Sequence, residues 1–249
     1  MKMRYLILCF AVIILTITPK SPLANESLRV DMLLVLAADV SSSIDEEEHK
    51  IVRHGHALAI TDDVVINAVL NGLRGKIAVT YIEWSGVGGH QRVVIPWSVI
   101  DSHSSAQSFA ERLQTEPRSF SNGKVSRNTT CIMEALEFSK RQLLNSPYKG
   151  SRWVIDLVGD GQENDLNPTN LNHELAAEYG IQINALAIDD SLPPDPMVKM
   201  EIGTLKDHYV RYVAAGPGSF VFVARGFSDV PKQMRNKFQF EIALVTPNH

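Results

Sequence analysis

Asp39-Val40-Ser41-Ser42-Ser43 follows directly on the apolar run Met32 to Ala38. A buried strand that empties into a loop with one carboxylate and two hydroxyls at alternate positions can aim three oxygens at one point, a donor set for a small hard cation. Two distant segments offer to complete the shell. Asn128-Thr129-Thr130 precedes the helix-like stretch Ile132 to Phe138, which puts the Thr130 hydroxyl near a helix start. Asp160-Gly161 follows Trp153 to Gly159, a second strand-like run ending in a carboxylate. Each piece alone also has a plainer reading. Ser43, ahead of Ile44-Asp45-Glu46-Glu47-Glu48, suits a helix N-terminus with acids in its first turn. Thr130 suits a cap and Asp160-Gly161 a turn. The set, taken in order and at two strand ends, points to a metal.

The elements that must position these residues alternate along the chain. A strand over 28–38 leads into a long helical segment over 44–73, and Gly75-Lys76 separates it from a strand over 77–84. The Gly-rich turn 85–89 and a short strand over 92–97 read as a hairpin, which makes one strand antiparallel at the sheet edge. Helical patterns follow at 104–114 and 132–144, with the polar loop Thr115 to Asn128 between them. Next come a strand over 153–158, a helix over 169–179 closed by Gly180, and a strand over 181–188. Strands alternating with helices, several of them continuously apolar, predict a doubly wound α/β fold. Its sheet is mostly parallel, with one antiparallel edge strand and helices on both faces. Ligands in such sheets sit beyond the carboxyl ends of the strands, where Asp39 and Asp160 both fall.

Asp39, Ser41 and Ser43, then Thr130 with Ala135-Leu136, then Asp160-Gly161 resemble the metal-ion-dependent adhesion site of von Willebrand factor A (vWA) domains. The resemblance implies a metal set of Asp39, Ser41, Ser43, Thr130 and Asp160 around Mg²⁺ or Mn²⁺. An open position would take a carboxylate from another protein. It implies binding through the metal, with no catalytic residue. Mg²⁺ suits an incomplete protein shell because it keeps several waters, and neutral hydroxyl ligands leave the cation more electrophilic toward an acidic group. Gly159 departs from the pattern, since many A domains carry Thr there, and this bears on support for the metal's waters. Glu83-Trp84-Ser85-Gly86, Val94 to Trp97, Val154-Ile155-Asp156, Gly216 to Val221 and a closing helix over 227–242 narrow the likeness. Together they resemble uncharacterised bacterial exported proteins that are almost wholly one A domain, here spanning 28–245. On this reading the loops Thr115 to Asn128 and Gln162 to Asn167 choose the partner.

Two other classes compete with adhesion-type binding. One is a structural vWA domain whose metal site is vestigial. The other is a metal-dependent phosphotransfer enzyme with Asp39 as nucleophile, a class that places a second Asp two residues on, where this chain has Ser41. His173-Glu174 begins a zinc-protease pattern, but Ala177 stands where the second His is needed. His54 and His56 diverge on a helix, and His49 is expected at the surface.

The 249 residues are 45% hydrophobic and 21% charged, enough apolar content for one compact domain with a sizeable core. Lys2 and Arg4 precede an apolar run from Tyr5 to Ile17, and a break with small residues ends at Ala24. The pattern predicts a secretory signal peptide over 1–24, hence a periplasmic or secreted bacterial protein. The mature chain would have no membrane span. Cleavage there removes three cations from a chain whose formal net charge is already −4, leaving an acidic surface unsuited to nucleic acid. It would also remove Cys9, leaving Cys131 as a lone thiol read as buried and structural, with no internal disulfide.

Overall fold

The computed structural model describes residue 26 and residues 28–86, 91–119, 130–162, 170–191 and 205–243. Its strands are β1 (Arg29–Asp39), β2 (Ile77–Trp84), β3 (Gln91–Ile100), β4 (Lys149–Gly159), β5 (Ile181–Ile188) and β6 (Val221–Ala224). They form one six-stranded sheet in the order β3-β2-β1-β4-β5-β6, parallel throughout except for the antiparallel pair β2–β3. The helices are α1 (Glu46–Ile60), α2 (Asp63–Leu70), α3 (His103–Thr115), α4 (Ile132–Leu144), α5 (Leu171–Tyr179), α6 (Leu205–Tyr212) and α7 (Val230–Phe238).

Why the sheet is covered twice is visible in β1. Side chains alternate across a strand, so Met32, Leu34, Leu36 and Ala38 enter one core while Leu33, Val35 and Ala37 enter the other. The first core is closed by apolar residues of α1, α2, α3 and α7, such as Val52, Val65, Phe109 and Met234. The second is closed by Leu136 of α4, Leu175 of α5 and Tyr209 of α6. Ala38 of β1 is level with Glu83 of β2 and Val158 of β4, so β1 and β4 deliver their carboxyl ends to the same rim.

Three expectations need correction, and two elements were unforeseen. The helical segment over 44–73 is two helices, because Asp62 turns its carboxylate to the backbone N–H groups of Val64 and Val65 and starts a second one. The closing helix over 227–242 is a 3₁₀ turn (Phe227–Asp229), α7, and a π-helical turn (Gln239–Ala243). Helix α6 and strand β6 were not foreseen, being short and without a long apolar period. His49 is buried at 3% exposure, because Glu83 on β2 gives its ring a partner. Gly180 does close α5, in the left-handed conformation (φ 66°) that a glycine adopts at no steric cost.

The leader over 1–24, the ends of the partner-selecting loops at 120–129 and 163–169, and the last residues 244–249 lie outside the described residues. Among the described residues no helix is long and apolar enough to cross a membrane.

Candidate metal centre

The rim at the ends of β1 and β4 gathers all five residues that the sequence singled out. Asp39 closes β1 and is 1% exposed; its Oδ1 accepts the Ser41 backbone N–H at 2.7 Å. Ser41 and Ser43 are joined through their hydroxyls at 3.0 Å, and the Ser43 hydroxyl donates to Asp160 Oδ1 at 2.9 Å. That last bond spans 117 positions of sequence. Thr130 is 5% exposed, and its Oγ1 lies 3.0 Å from where a Cβ on Gly161 would stand. Three chain segments therefore converge.

The capping alternatives resolve against the candidate residues. Asp45 caps α1, accepting from the backbone N–H groups of Glu47 and Glu48, while the Glu48 carboxylate accepts from the Asp45 N–H. That leaves Ser43 facing Asp160. At α4 the N-cap position is Cys131, which makes no side-chain cap bond, and Thr130 stands one residue outside the helix. The Cys131 thiol is buried.

The electrostatics are those of a place short of positive charge. Asp39 Oδ2 is buried without a hydrogen-bond partner. Burial, then the neighbouring charge of Asp160, pushes the Asp39 carboxyl up to about 7 against the pull of Ser41 and Arg118. Burial likewise raises Asp160, with Asp190 adding to the effect. Among the described residues no three His, Cys, Asp or Glu side chains cluster, so the two acids here are completed by hydroxyls. Two carboxyls, one with an orphaned buried oxygen, and three hydroxyls fit a hard divalent cation that retains water.

Several neighbours escaped the sequence reading. Arg118 reaches from beyond α3 to the carbonyls of Val40 (3.3 Å), Ile44 (2.8 Å) and Asp45 (3.2 Å), gripping the loop that carries both serines. Next to it, Ser119 donates its N–H (2.8 Å) and hydroxyl (2.5 Å) to Glu83 Oε2. Glu83 Oε1 takes Arg53 (Nη2 at 2.6 Å, Nε at 3.0 Å) and His49 (Nε2 at 2.7 Å). Burial pushes Glu83 up, but His49, Arg53 and Ser119 outweigh it and hold the carboxyl at about 2. The available signal was a single charged residue, a glutamate, inside a mostly apolar strand, since a buried charge demands partners.

Tyr209 of α6 was also missed. Its hydroxyl donates to the Gly161 carbonyl at 3.2 Å and would lie 2.7 Å from a Cβ on Gly159. A Cβ there would also meet Asp39 Oδ2 at 3.1 Å, so a glycine at this position makes room for this tyrosine.

Comparison with known proteins bears on the fold. The model of a family described as "Protein of unknown function (DUF1194)" matches residues 29–246. No curated protein matches the sequence. Among solved structures, proximal thread matrix protein 1 from the mussel byssus is 17% identical, with a TM-score of 0.55 over 85% of this chain and 46% of its own. The pilus adhesin SpaC from Lactobacillus rhamnosus GG is 17% identical at a TM-score of 0.57, over 86% of this chain and 31% of its own. This chain thus spans less than half the length of either. The vWF domain of the type V pili tip protein Mfa5 from Porphyromonas gingivalis is 9% identical at 0.52, over 88% and 97%. The mussel protein is also known with a zinc-occupied MIDAS motif. At these identities the likeness speaks for the fold alone, and that fold is the vWA type. The chain belongs to the DUF1194 family, which its sequence matches from the start of β1 to beyond the π-helical turn.

Proposed function

We propose that the rim cluster of Asp39, Ser41, Ser43, Thr130 and Asp160 binds a divalent cation, Mg²⁺ or Mn²⁺, and through it an acidic group of a partner protein. The observation that carries this reading is the hydroxyl chain Ser41–Ser43–Asp160 beside the partnerless buried oxygen of Asp39. An array that holds two carboxyls together, with the nearby Arg118 guanidinium committed to backbone carbonyls, gains most from a bound cation. Ser43 and Asp160 are not fully buried, which leaves the cluster open on the side a partner would approach. Asp189, Asp190 and Ser191 line a groove beside Asp160, and the charge of the two aspartates supports a partner whose acidic group is flanked by a basic one. The charged-then-apolar segment Lys2 to Ile17 supports export, with the interaction taking place in the periplasm or outside the cell.

A ligand that binds only the folded state raises its stability with concentration. Mg²⁺ or Mn²⁺ at about a hundredfold its dissociation constant is expected to add about 2.7 kcal/mol, read as a rise in Tm. Ser41→Ala with Ser43→Ala is expected to abolish that rise. Equal melting in metal and in chelator would support the vestigial reading instead. Retention of an exported protein on the immobilised domain in Mg²⁺, and its release by chelator, tests the partner.

A further inference from the structure

The first core holds an ionisable cluster remote in role from the rim. Asp156 lies in β4 between Val154 and Val158, which both face the core closed by α7. Asp156, Lys237 of α7 and Glu241 of the π-helical turn are each 0% exposed. Lys237 Nζ touches Asp156 Oδ1 and stands 3.5 Å from Glu241 Oε2. The rings of Phe220 and Phe238 flank the amine at 5.7 and 5.8 Å from their centroids. Glu241 is aimed by Asn184, whose amide donates to Oε1 at 2.6 Å. Asn184 is held in turn by the Gln182 amide at 3.3 Å and the Phe220 N–H at 3.2 Å.

Burying an ion pair costs several kcal/mol per ion unless other hydrogen bonds compensate, and neither Asp156 oxygen has a further hydrogen-bond partner. A neutral amine beside a neutral carboxylic acid has the same net charge and escapes that cost. Burial, the largest influence, raises Asp156 to about 7; Lys237 opposes it and Glu241 adds to it, which favours the acid form. Amine and carboxyl held in contact also react with effective molarities of about 10⁵ M or more.

We propose that Lys237 and Asp156 form an intramolecular isopeptide bond, with Glu241 transferring the protons. Proton transfer within the pair leaves Lys237 as the free amine, whose lone pair attacks Asp156 Cγ. The N–C bond forms as the C=O π bond opens. Glu241 takes a proton from the nitrogen and returns one to the departing hydroxyl, the C–O bond breaks, and one water leaves. Glu241 ends as it began, and no oxidant or co-reactant is consumed. The product replaces the buried ionisable pair with an amide and ties the centre of the sheet to α7.

The full chain, denatured and digested with trypsin, is read by tandem mass spectrometry. The expected product is a branched peptide joining Asp156 to Lys237, lighter by one water than its two parts, with no cleavage after Lys237. Glu241→Gln and Lys237→Arg, each checked for folding by circular dichroism, are expected to yield the unbranched peptides. A wild-type digest with unmodified Asp156 and a cleavable Lys237 would overturn the bond whatever the variants do. Complete branching in folded Glu241→Gln would overturn the role of Glu241.

Discussion

At the scale of single residues, the rim tolerates almost no added volume. Gly161 packs so that a methyl group would approach Thr130 Oγ1 at 3.0 Å, and one on Gly159 would meet both Tyr209 and Asp39. Gly161→Ala is therefore expected to push Thr130 aside, at a cost of about 1–3 kcal/mol in stability. Under the proposed function it should also shrink the metal-dependent rise in Tm. Denaturant titration with and without Mg²⁺ separates the two effects. The five rim residues were legible in the sequence because strand ends and hydroxyl spacing are local features. Tyr209 was not, since nothing near Leu205–Tyr212 marks a side chain that reaches back to β4. Nor could the sequence decide whether Ser43 caps the helix; the cap is Asp45, two positions later.

At the scale of elements, the network around Glu83 fastens three pieces: the end of β2, helix α1 through His49 and Arg53, and the segment after α3 through Ser119. Arg53 also donates to the carbonyls of Leu113 (3.1 Å), Glu116 and Pro117 (3.3 Å), so one guanidinium closes the end of α3. Removing one member leaves an uncompensated buried charge, and Glu83→Gln is expected to cost about 3–5 kcal/mol at neutral pH. Its pH dependence has a definite sign. The Glu83 carboxyl falls from 4.5 to about 2 on folding, so its stabilisation is complete above 4.5 and is lost as pH drops through about 2. Acid titration of stability should show wild type losing ground to Glu83→Gln across that window. Most strands and helices were legible from period and punctuation. The exceptions follow from physics: Asp62 starts a second helix where the polar run Thr61-Asp62-Asp63 interrupts the apolar pattern, and β6 is four residues long and recognisable only by its neighbour β5.

At the scale of the whole molecule, alternation of strand and helix was enough to foresee a parallel sheet covered on both faces. The sheet order was beyond reach, because pairing between strands distant in sequence leaves no local mark. That order has a consequence in time. β1 is made early in the chain but sits between β2 and β4, and its long pairing with β4 joins Arg29 to Lys149 and Ala38 to Val158. As the polypeptide emerges from its N-terminus, Asp39 and both serines must wait for residue 160 before Ser43 meets its acceptor. Contacts so far apart in sequence are slow to close, and interactions absent from the transition state govern the unfolding limb. A cation seated at this rim should therefore leave the refolding rate of the domain nearly unchanged and slow its unfolding, which stopped-flow kinetics in metal and in chelator would reveal. The cluster would then act as a fastener closed after assembly, guarding the folded domain against proteolysis.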